Sequence, residues 1–459
     1  MNTIVSTNPS KNFEVLGEVS VSNDLEIKNA VMKAKVAFTS WSNISLDERI
    51  AKVNSFVEIS KDKKEDIARI IAKETGRTIK SSRLNVEGGI EYLSAYIGMA
   101  KQYLSTEIIS ETDAQIVKLF HEPRGVVAAI LPWNYPFMNV AWQCGQALIA
   151  GNTFVYKNSE ENPLFSQMLE ELIRTSDIPE GVFNVIYGDG MSGDCLVHQN
   201  IDMISFTGST KVGQILTEVA AKKFIPIVTE LGGSSPLIIF EDIDITDDLV
   251  TFIAGMRLIN AGQACDSVKR LIVHESKFNE VVAKLSKYMD SKKIGDASDE
   301  ETDIGPLISK KQLELIEEQV NDSVKLGAKI VTGAKRPENL LGAYYSPTIL
   351  INISRNMRVW KEEVFGPVLP IVSFSTQAEA IDLANDTEYG LTAHILTSSK
   401  NRFEEVARKI NAGSIGHNKT SYWSPLSPFG GYKKSGMGRI HGPFGFYEST
   451  QIKVISVEK

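Results

Sequence analysis

The sequence predicts an α/β fold with more than one domain, and three observations lead to that prediction. The chain has 459 residues, which exceeds what one hydrophobic core usually organises. From about residue 125, short apolar runs alternate with stretches long enough for helices, a pattern typical of a parallel sheet covered by helices. The composition is 42% hydrophobic and 23% charged, so the chain can bury a large core.

The first hundred residues predict helices. Apolar residues between Asp24 and Phe38 recur at helical spacing behind a possible cap at Asn23, and a longer helix is expected from about Asp47 to Gly76. Five apolar runs then predict the strands of a first parallel sheet, over residues 126–131, 153–156, 182–187, 203–206 and 225–228. These runs are bounded by turn residues, as strands usually are.

A second alternating region begins near residues 236–240 and continues to about residue 416. Its helix-like stretches cover residues 276–290, 308–326 and 399–411. Two further segments, 105–119 and 446–457, are rich in polar and β-forming residues and predict exposed strands. Exposed strands usually need a covering partner, so we expect subunit contacts there. The alternative is a fraying surface hairpin and tail.

Charge and residue usage exclude several classes of protein. The net charge is −8, and lysines such as Lys61 and Lys63 alternate with acidic residues, which argues against a nucleic-acid partner. No apolar stretch reaches the length of a membrane span. The N-terminal residues lack a basic region followed by an apolar run, so no signal peptide is predicted and a cytoplasmic protein is expected.

The cysteines and histidines point to neither a disulfide framework nor a metal. Cys144, Cys195 and Cys265 are an odd number in a long chain, which favours a reducing compartment. No Cys-x-x-Cys occurs, and the six histidines show no pair at ligand spacing. We therefore expect no metal.

Cys265 is the candidate nucleophile. It lies in Asn260-Ala-Gly-Gln-Ala-Cys265, where Gly262 permits a tight turn that presents the sulfur to a cleft. Glu230 precedes it in Glu230-Leu-Gly-Gly. A thiolate can form a covalent intermediate on an electrophilic carbon, and a carboxylate can activate the water that releases the product. Taken alone, a free cysteine is more often a buried structural residue.

Three further motifs follow predicted strands. Asn134, in Pro132-Trp-Asn-Tyr-Pro136, has an amide that can stabilise an oxyanion together with the Cys265 backbone amide, or can simply cap a turn. Lys157 and Glu160 can face a ligand crevice, or can form a surface ion pair. Gly188-Asp-Gly-Met-Ser-Gly193 matches a dinucleotide loop but is as easily a chance turn.

Taken in order, seven segments resemble the aldehyde dehydrogenase superfamily, and the resemblance covers nearly the whole chain. The segments are Pro132-Trp-Asn, Lys157 with Glu160, Phe206-Thr-Gly-Ser-Thr, Glu230-Leu-Gly-Gly, Gly262-Gln-Ala-Cys265, Glu363-Val-Phe-Gly-Pro and Pro428-Phe-Gly-Gly-Tyr-Lys-Lys-Ser-Gly436. The resemblance implies a Rossmann-like cofactor domain, a second α/β catalytic domain and a small β oligomerisation arm. The implied bounds are 1–104 with 125–229, 230–435, and 105–124 with 446–459.

The resemblance also implies residue roles. Cys265 attacks the aldehyde, Asn134 stabilises the oxyanion, and Glu230 activates water for hydrolysis of the thioester. The residues expected to hold NAD or NADP are Pro132, Trp133, Lys157, Glu160, Gly190, Gly208, Ser209, Leu231, Glu363 and Phe365. A homodimer or homotetramer is expected from the family's arm. Glu160 would repel a 2′-phosphate, which favours NAD over NADP, although loop movement or Lys157 could admit both.

The substrate side is less constrained by the motifs. Tyr135, Trp142, Trp423 and Phe429, with Tyr422, fall where the family lines its substrate tunnel, and aromatic walls favour apolar or aromatic aldehydes. Family members that act on succinate semialdehyde commonly carry two arginines where this chain has Trp142 and Ile259. For that alternative substrate, Arg257 or Lys419 would have to supply the cation.

Smaller departures from the family pattern occur at Asn158, Ser234 and His417, and none of them is a catalytic position.

Two other functions stay open at this stage. A coenzyme A-acylating relative would resolve the thioester with a thiol, but such members generally lack the base that Glu230 provides. A non-catalytic protein with the same fold would have no reason to keep Cys265, Asn134 and Glu230 together.

Overall fold

The computed structural model describes residues 2–459. The chain begins with a two-stranded hairpin and four helices: β1 (Thr3–Asn8), β2 (Glu14–Ser20), α1 (Asp24–Trp41), α2 (Leu46–Asp62), α3 (Lys64–Thr75) and α4 (Ile79–Leu104). Asn23 caps α1 in a capping box with Glu26, as the sequence predicts. The single helix expected over 47–76 is wrong, because the backbone of Lys63 leaves helical geometry and separates α2 from α3.

Two strands then project from the body: β3 (Glu107–Glu111) and β4 (Gln115–Pro123). The first alternating region follows as β5 (Val126–Ile130), α5 (Pro136–Ala150), β6 (Thr153–Lys157), α6 (Pro163–Thr175), β7 (Phe183–Ile186), α7 (Gly190–His198), β8 (Met203–Thr207), α8 (Thr210–Lys223) and β9 (Ile227–Glu230). All five predicted strands of the first sheet are present, each with bounds shifted by at most a few residues. Pro136 begins α5, and its missing N–H costs no hydrogen bond because the N–H groups of the first turn have no partner within the helix.

The second alternating region forms a separate sheet. Its elements are β10 (Ser235–Ile239), α9 (Asp247–Leu258), β11 (Val268–His274), α10 (Glu275–Asp290), α11 (Lys310–Lys325), β12 (Lys329–Thr332), β13 (Thr348–Ile351), α12 (Arg358–Lys361), β14 (Val368–Phe374), α13 (Gln377–Asn385), β15 (Thr392–Leu396), α14 (Lys400–Ala407) and β16 (Ser414–His417). The chain ends with β17 (Gly436–Met437), α15 (Gly442–Glu448) and β18 (Thr450–Glu458). None of the helices within residues 2–459 is both long and apolar enough to cross a membrane.

The strand orders place the site. The first sheet runs β17-β9-β8-β5-β6-β7 and the second runs β12-β13-β14-β11-β10-β15-β16. From β5 the chain winds through β6 to β7 on one side and then returns to β8 on the other. Open α/β sheets bind ligands where this winding reverses, at the carboxyl ends of the strands. The reversal between β5 and β8 therefore marks the expected crevice.

Both sheets are buried on their two faces, which explains the unbroken apolar runs. In β5, Val127 and Ala129 pack into one core while Val126 and Ala128 pack into another. In β10, Leu237 and Ile238 likewise point to opposite cores. The short strand β17 pairs with β9, so the segment that follows the second sheet returns to the first. This pairing brings the two sheets against a shared crevice.

The projecting strands form a sheet of their own, in the order β18-β4-β3. Every residue of β3 is exposed, and so is every residue of β18 after Thr450. The sequence therefore predicts these exposed strands correctly, although the tail also contains α15, which the pattern did not predict. The sequence pattern also misses the hairpin β1–β2. Its pairing contains a bulge and its exposure does not alternate regularly, so a period-two pattern is weak.

Candidate active site

A cavity of about 330 Å³ lies between the two sheets at the carboxyl ends of β5 and β8. It collects residues from segments that are far apart in sequence. Of the predicted site residues, those that line it are Pro132, Trp133, Asn134, Tyr135, Trp142, Gly208, Ser209, Glu230, Leu231, Cys265, Glu363, Phe365, Trp423 and Phe429. Lys157, Glu160, Gly190 and Tyr422 lie outside it. One chamber thus holds the thiol, the carboxylate and the amide.

The loop before β11 presents Cys265. Three consecutive residues, Asn260, Ala261 and Gly262, have positive φ angles of 50°, 53° and 77°, which turns the backbone sharply. A side chain at Gly262 is excluded, because its Cβ would lie 2.2 Å from the carbonyl oxygen of Gly366. Cys265 itself is half-buried. Burial raises the pKa of the Cys265 thiol above its usual value, and Asp266 raises it further.

Asn134 follows β5 and connects the two halves of the site. Its Nδ2 donates to the carbonyl of Gln263 at 3.2 Å, which aims the amide at the nucleophile loop. Its own backbone carbonyl accepts from Arg77 Nη1 at 3.0 Å and from Asn260 Nδ2 at 3.2 Å. Because Nδ2 carries two hydrogens, one is left to meet an oxygen bound beside Cys265. The arrangement suits an oxyanion donor.

Glu230 is the last residue of β9 and is only 4% exposed. Neither of its carboxylate oxygens has a hydrogen-bond partner among residues 2–459. Burial raises the pKa of Glu230 well above its usual range, and Arg439 offsets this only in part. Gly430 makes room for the carboxylate, since a Cβ there would lie 2.9 Å from Oε1. A buried, unpartnered carboxylate with a raised pKa is a stronger base than an exposed one, which suits it to take a proton from water.

The other wall of the cavity carries Glu363 and Phe365. The Glu363 Oε1 accepts from the backbone N–H of Gly233 at 3.0 Å and from Lys269 Nζ at 2.7 Å. The Phe365 ring meets Trp133 edge to face, with ring centroids 5.9 Å apart. A carboxylate and an aromatic pair at the mouth of a crevice can hold a sugar hydroxyl and an aromatic ring.

Lys157, Glu160 and Gly190 lie along the same edge of the first sheet, outside the cavity. Lys157 ends β6 beside β5, and its Nζ lies 3.4 Å from Glu160 Oε2. Gly190 begins α7, and a Cβ built there would have no neighbour within 4 Å. Ser209 caps α8 at the end of β8. Hydroxyl-binding side chains, open space and helix N-termini on one sheet edge fit an extended phosphate-bearing ligand.

Aromatic rings form the third wall. Trp142 and Trp423 stack with centroids 5.0 Å apart, and Trp423 stacks on Phe429 at 4.4 Å. The indole N–H of Trp423 donates to Asp266 Oδ2 at 3.0 Å. Tyr422, which the sequence also placed in the tunnel, packs beside Trp423 but does not line the cavity.

Sequence reasoning missed several cavity residues. They are Asn139, Gln143, Thr207, Gly232, Asp266, Gln312, Leu315 and Ile440. Asp266 is the most consequential, because it adds a carboxylate next to the nucleophile, and its position directly after Cys265 is a signal that could have identified it. Thr207 and Gly232 stand inside quoted motifs but were given no role there, and the remaining five come from segments that no motif marks.

The hypothesis that Arg257 or Lys419 supplies a cation to the substrate is wrong. Arg257 is fully buried and donates to the backbone carbonyls of Val364 and Gly366. Lys419 pairs with Asp248 at the surface. Across the described residues, no lysine or arginine lines the cavity.

Comparison with known proteins agrees with this geometry. The model of the aldehyde dehydrogenase family matches residues 1–455. Betaine aldehyde dehydrogenase of Bacillus subtilis is 35% identical over 96% of this chain and 91% of its own length. Mitochondrial succinate-semialdehyde dehydrogenase of Oryza sativa subsp. japonica is 34% identical over 99% of this chain and 86% of its own.

Two solved structures superpose closely. Betaine aldehyde dehydrogenase of Staphylococcus aureus in complex with NAD+ has a TM-score of 0.94 and 34% identity, over 99% of this chain and 91% of that one. An NADP-dependent enzyme of E. coli has a TM-score of 0.95 and 32% identity, over 100% and 95%. At this identity and coverage, the likeness extends from the fold to the family.

Proposed function

The chain belongs to the aldehyde dehydrogenase family, and on that premise we propose that it oxidises an aldehyde to the carboxylic acid with NAD, through a thioester on Cys265 hydrolysed by water. One observation supports this most: Cys265, Asn134 and Glu230, from three distant segments, all line one cavity. A nucleophile, an oxyanion donor and a base are the groups that acyl transfer through a covalent intermediate requires.

In the proposed sequence, the Cys265 thiol releases its proton to solvent water and the sulfur adds to the aldehyde carbon. The resulting alkoxide accepts hydrogen bonds from the Asn134 amide and the Cys265 backbone N–H. Bound NAD supplies the acceptor for the hydride that leaves this carbon, and a thioester on Cys265 remains. Glu230 then takes a proton from a water that attacks the thioester, and the acid and the free thiol are released.

The residues present fit a dinucleotide. Lys157 and Glu160 would hold the adenine ribose, Gly208, Ser209 and the N-terminus of α8 would meet the pyrophosphate, and Glu363 with Phe365 would position the nicotinamide ribose. Glu160 is about half-exposed, at 48%. A carboxylate there accepts from the ribose 2′-hydroxyl and repels a 2′-phosphate, which favours NAD over NADP.

We propose an apolar or aromatic aldehyde as the substrate. The stack of Trp142, Trp423 and Phe429 offers flat apolar surface beside the nucleophile. A substrate with a second carboxylate, such as succinate semialdehyde, would enter without a lysine or arginine among the cavity-lining residues to pair with it. Instead it would face Asp266, whose carboxylate repels it.

Asp266 also favours a second candidate, a cationic aldehyde. Indole rings attract ammonium groups by cation–π contact, and a neighbouring carboxylate strengthens that attraction. The B. subtilis and S. aureus relatives are named for betaine aldehyde. The two candidates differ in one testable respect, because the charge of Asp266 attracts only the cationic substrate.

The experiment is NADH formation, followed by absorbance, across apolar, aromatic, cationic and carboxylated aldehydes, with NAD or NADP and with or without coenzyme A. We expect reduction of NAD without coenzyme A, fastest for apolar or aromatic aldehydes. The variant Asp266→Asn is the matched control, since it loses activity selectively if the substrate is cationic. Failure to reduce either cofactor with any aldehyde would overturn the proposal, and a strict need for coenzyme A would replace hydrolysis with acylation.

A further inference from the structure

Lys269 is a buried cation directly behind the residues that line the active site, and the proposed mechanism does not use it. It lies in β11 and is only 1% exposed. Its Nζ donates to the carbonyl oxygen of Cys265 at 2.7 Å and to Glu363 Oε1 at 2.7 Å. The same ammonium lies 5.6 Å from the centroid of the Phe365 ring. One side chain therefore contacts both the nucleophile loop and the residues expected at the nicotinamide ribose.

The Glu363 carboxylate is held on one oxygen only. Lys269 Nζ and the backbone N–H of Gly233 both donate to Oε1. Oε2 lies against Gly232, where an added Cβ would stand 2.4 Å from it. Glu363 and Gly232 both line the cavity. Lys269 thus holds the carboxylate at one oxygen, and Gly232 leaves the space that the other oxygen occupies. Within residues 2–459, no group donates a hydrogen bond to Oε2.

We propose that Lys269 is a positioning residue that holds Glu363 ready for the nicotinamide ribose, with the Cys265 carbonyl as its second anchor. The inference rests on the proposed function, because it takes Glu363 as a cofactor contact. The ammonium holds the carboxylate in one orientation before the cofactor arrives, so cofactor binding loses less conformational entropy at this side chain. It also ties the position of that carboxylate to the loop that carries the nucleophile.

The nucleophile loop does not depend on Lys269 for its own shape. The Gln263 side chain donates to the carbonyl of Asn260 and accepts from the backbone N–H of Ile308. Ser267 bonds the carbonyl of Ala264 through both its backbone N–H and its hydroxyl. Loss of the lysine should therefore disturb Glu363 more than Cys265.

The test separates cofactor binding from thiol chemistry in the full-length protein. NADH binding is titrated by fluorescence, and p-nitrophenyl acetate hydrolysis without cofactor reports on the thiol and its base. We expect Lys269→Met to raise the NADH dissociation constant by about tenfold or more, the loss expected for one charge-assisted hydrogen bond. Ester hydrolysis should fall by less than NADH binding does. It should fall in part, because Lys269 also lowers the pKa of the Cys265 thiol and its loss raises that pKa.

Two more variants test the route of the effect. Glu363→Gln should weaken NADH binding to a similar degree, and the double variant K269M/E363Q should bind no more than about threefold more weakly than the worse single variant, because the lysine acts through the glutamate. Gly232→Ala should also weaken binding, since the new methyl displaces Oε2. Its backbone is not in the left-handed region, so the fold should tolerate it.

Three results would overturn the inference. The first is unchanged NADH binding in K269M, and the second is a double variant whose loss of NADH affinity equals the product of the two single losses. The third is ester hydrolysis that falls in parallel with NADH binding. The last would show that the lysine supports only the loop. A wild-type protein that binds no NADH and reduces no cofactor would overturn the proposed function and this inference together. Normal wild-type activity with an unaffected K269M would overturn this inference alone.

Discussion

Cys265 and Glu230 are both shielded from water, and burial raises the pKa of each group. The two effects act in the same direction on catalysis. The thiol must lose its proton to attack, and the glutamate must be ionised to accept one from water. Both active forms are therefore favoured as the pH rises.

We expect the rate of aldehyde oxidation to increase with pH through the neutral range. The sign follows from the raised pKa values, because each group stays protonated to a higher pH than its unperturbed counterpart. The measurement is kcat against pH under saturating substrate and cofactor. A rate that is flat from the ordinary glutamate pKa upward would contradict the assignment of Glu230 as a base with raised pKa.

Substitution of the base should separate two steps. In Glu230→Gln, hydride transfer should remain while release of the acyl group slows, so stopped-flow absorbance should show a burst of NADH followed by a steady rate reduced by about 10²- to 10⁴-fold, the usual contribution of a general base. Cys265→Ala is the control and should show neither phase. If E230Q kept the wild-type steady rate, another group would be the base.

At this scale, local motifs lead to residues that the fold brings together, while the catalytic roles given to them stay predictions. Asn134, Glu230 and Cys265 each stand in a short pattern, and all three line one cavity. Lys269 and Arg77 could not be found in this way. Their roles arise from contacts with residues distant in sequence, such as Lys269 with Glu363 and Arg77 with the carbonyl of Asn134.

Among the elements, helix α6 has an unusual N-terminal cap. Asn162 makes no side-chain cap; instead Glu74, from α3, accepts from the backbone N–H groups of Leu164 and Phe165 at 2.8 Å. The same carboxylate accepts from the Ser6 hydroxyl at 2.6 Å. Glu74 thus joins the N-terminal hairpin to the first sheet's helices. Burial raises its pKa to about 7, and these donors offset only part of the effect.

This cap makes stability depend on pH. The folded carboxyl has a pKa of about 7 against an ordinary glutamate value of 4.5, so between those values the folded protein holds a proton that the unfolded chain releases. Protonated Glu74 makes its full contribution to the free energy of unfolding below pH 4.5. That contribution is lost as the pH rises through about 7, and the total change is about 3 kcal/mol.

We therefore expect the difference in unfolding free energy between wild type and Glu74→Gln to shrink or reverse between pH 5 and pH 8, as measured by urea denaturation. Glu58→Gln, at an exposed ion pair on α2, is the matched control and should show no such change. A pH-independent difference for E74Q would refute the raised pKa.

Element boundaries show what periodicity can and cannot predict. The end of α3 at Gly76, with φ of 72°, follows from a glycine that the sequence displays. The break at Lys63 does not, because neither glycine nor proline marks it and the helical pattern of apolar residues continues on both sides. Local preference there is overridden by the packing of α3 against α4.

In the whole molecule, the three-stranded arm formed by β18, β4 and β3 leaves apolar side chains exposed to solvent. Within residues 2–459, its edge strand β18 pairs only with β4, and it exposes Ile452 and Val454 at 65% and 56%. Apolar side chains on an unpaired edge are covered in most proteins. The exposed strands follow from sequence alternation, but their partner does not, because no pattern within one chain encodes a second copy.

We predict a homodimer or homotetramer held through this arm. Light scattering at micromolar concentration should report a mass at least twice that of the 50.6 kDa chain, and the variant I452K/V454K should shift it toward the monomer. Val36→Lys, at a 76% exposed position on α1, is the matched control. A wild-type protein that is monomeric under these conditions would contradict the prediction.

Trapping the covalent intermediate tests directly whether a thioester forms on Cys265. Glu230→Gln is mixed with NAD and an aldehyde that wild type oxidises, then quenched in acid and analysed by intact mass and peptide mapping. We predict a mass increase of one acyl group on the peptide that contains Cys265. The double variant C265A/E230Q should show no such increase. An unmodified Cys265 despite a burst of NADH would contradict a thioester at this residue.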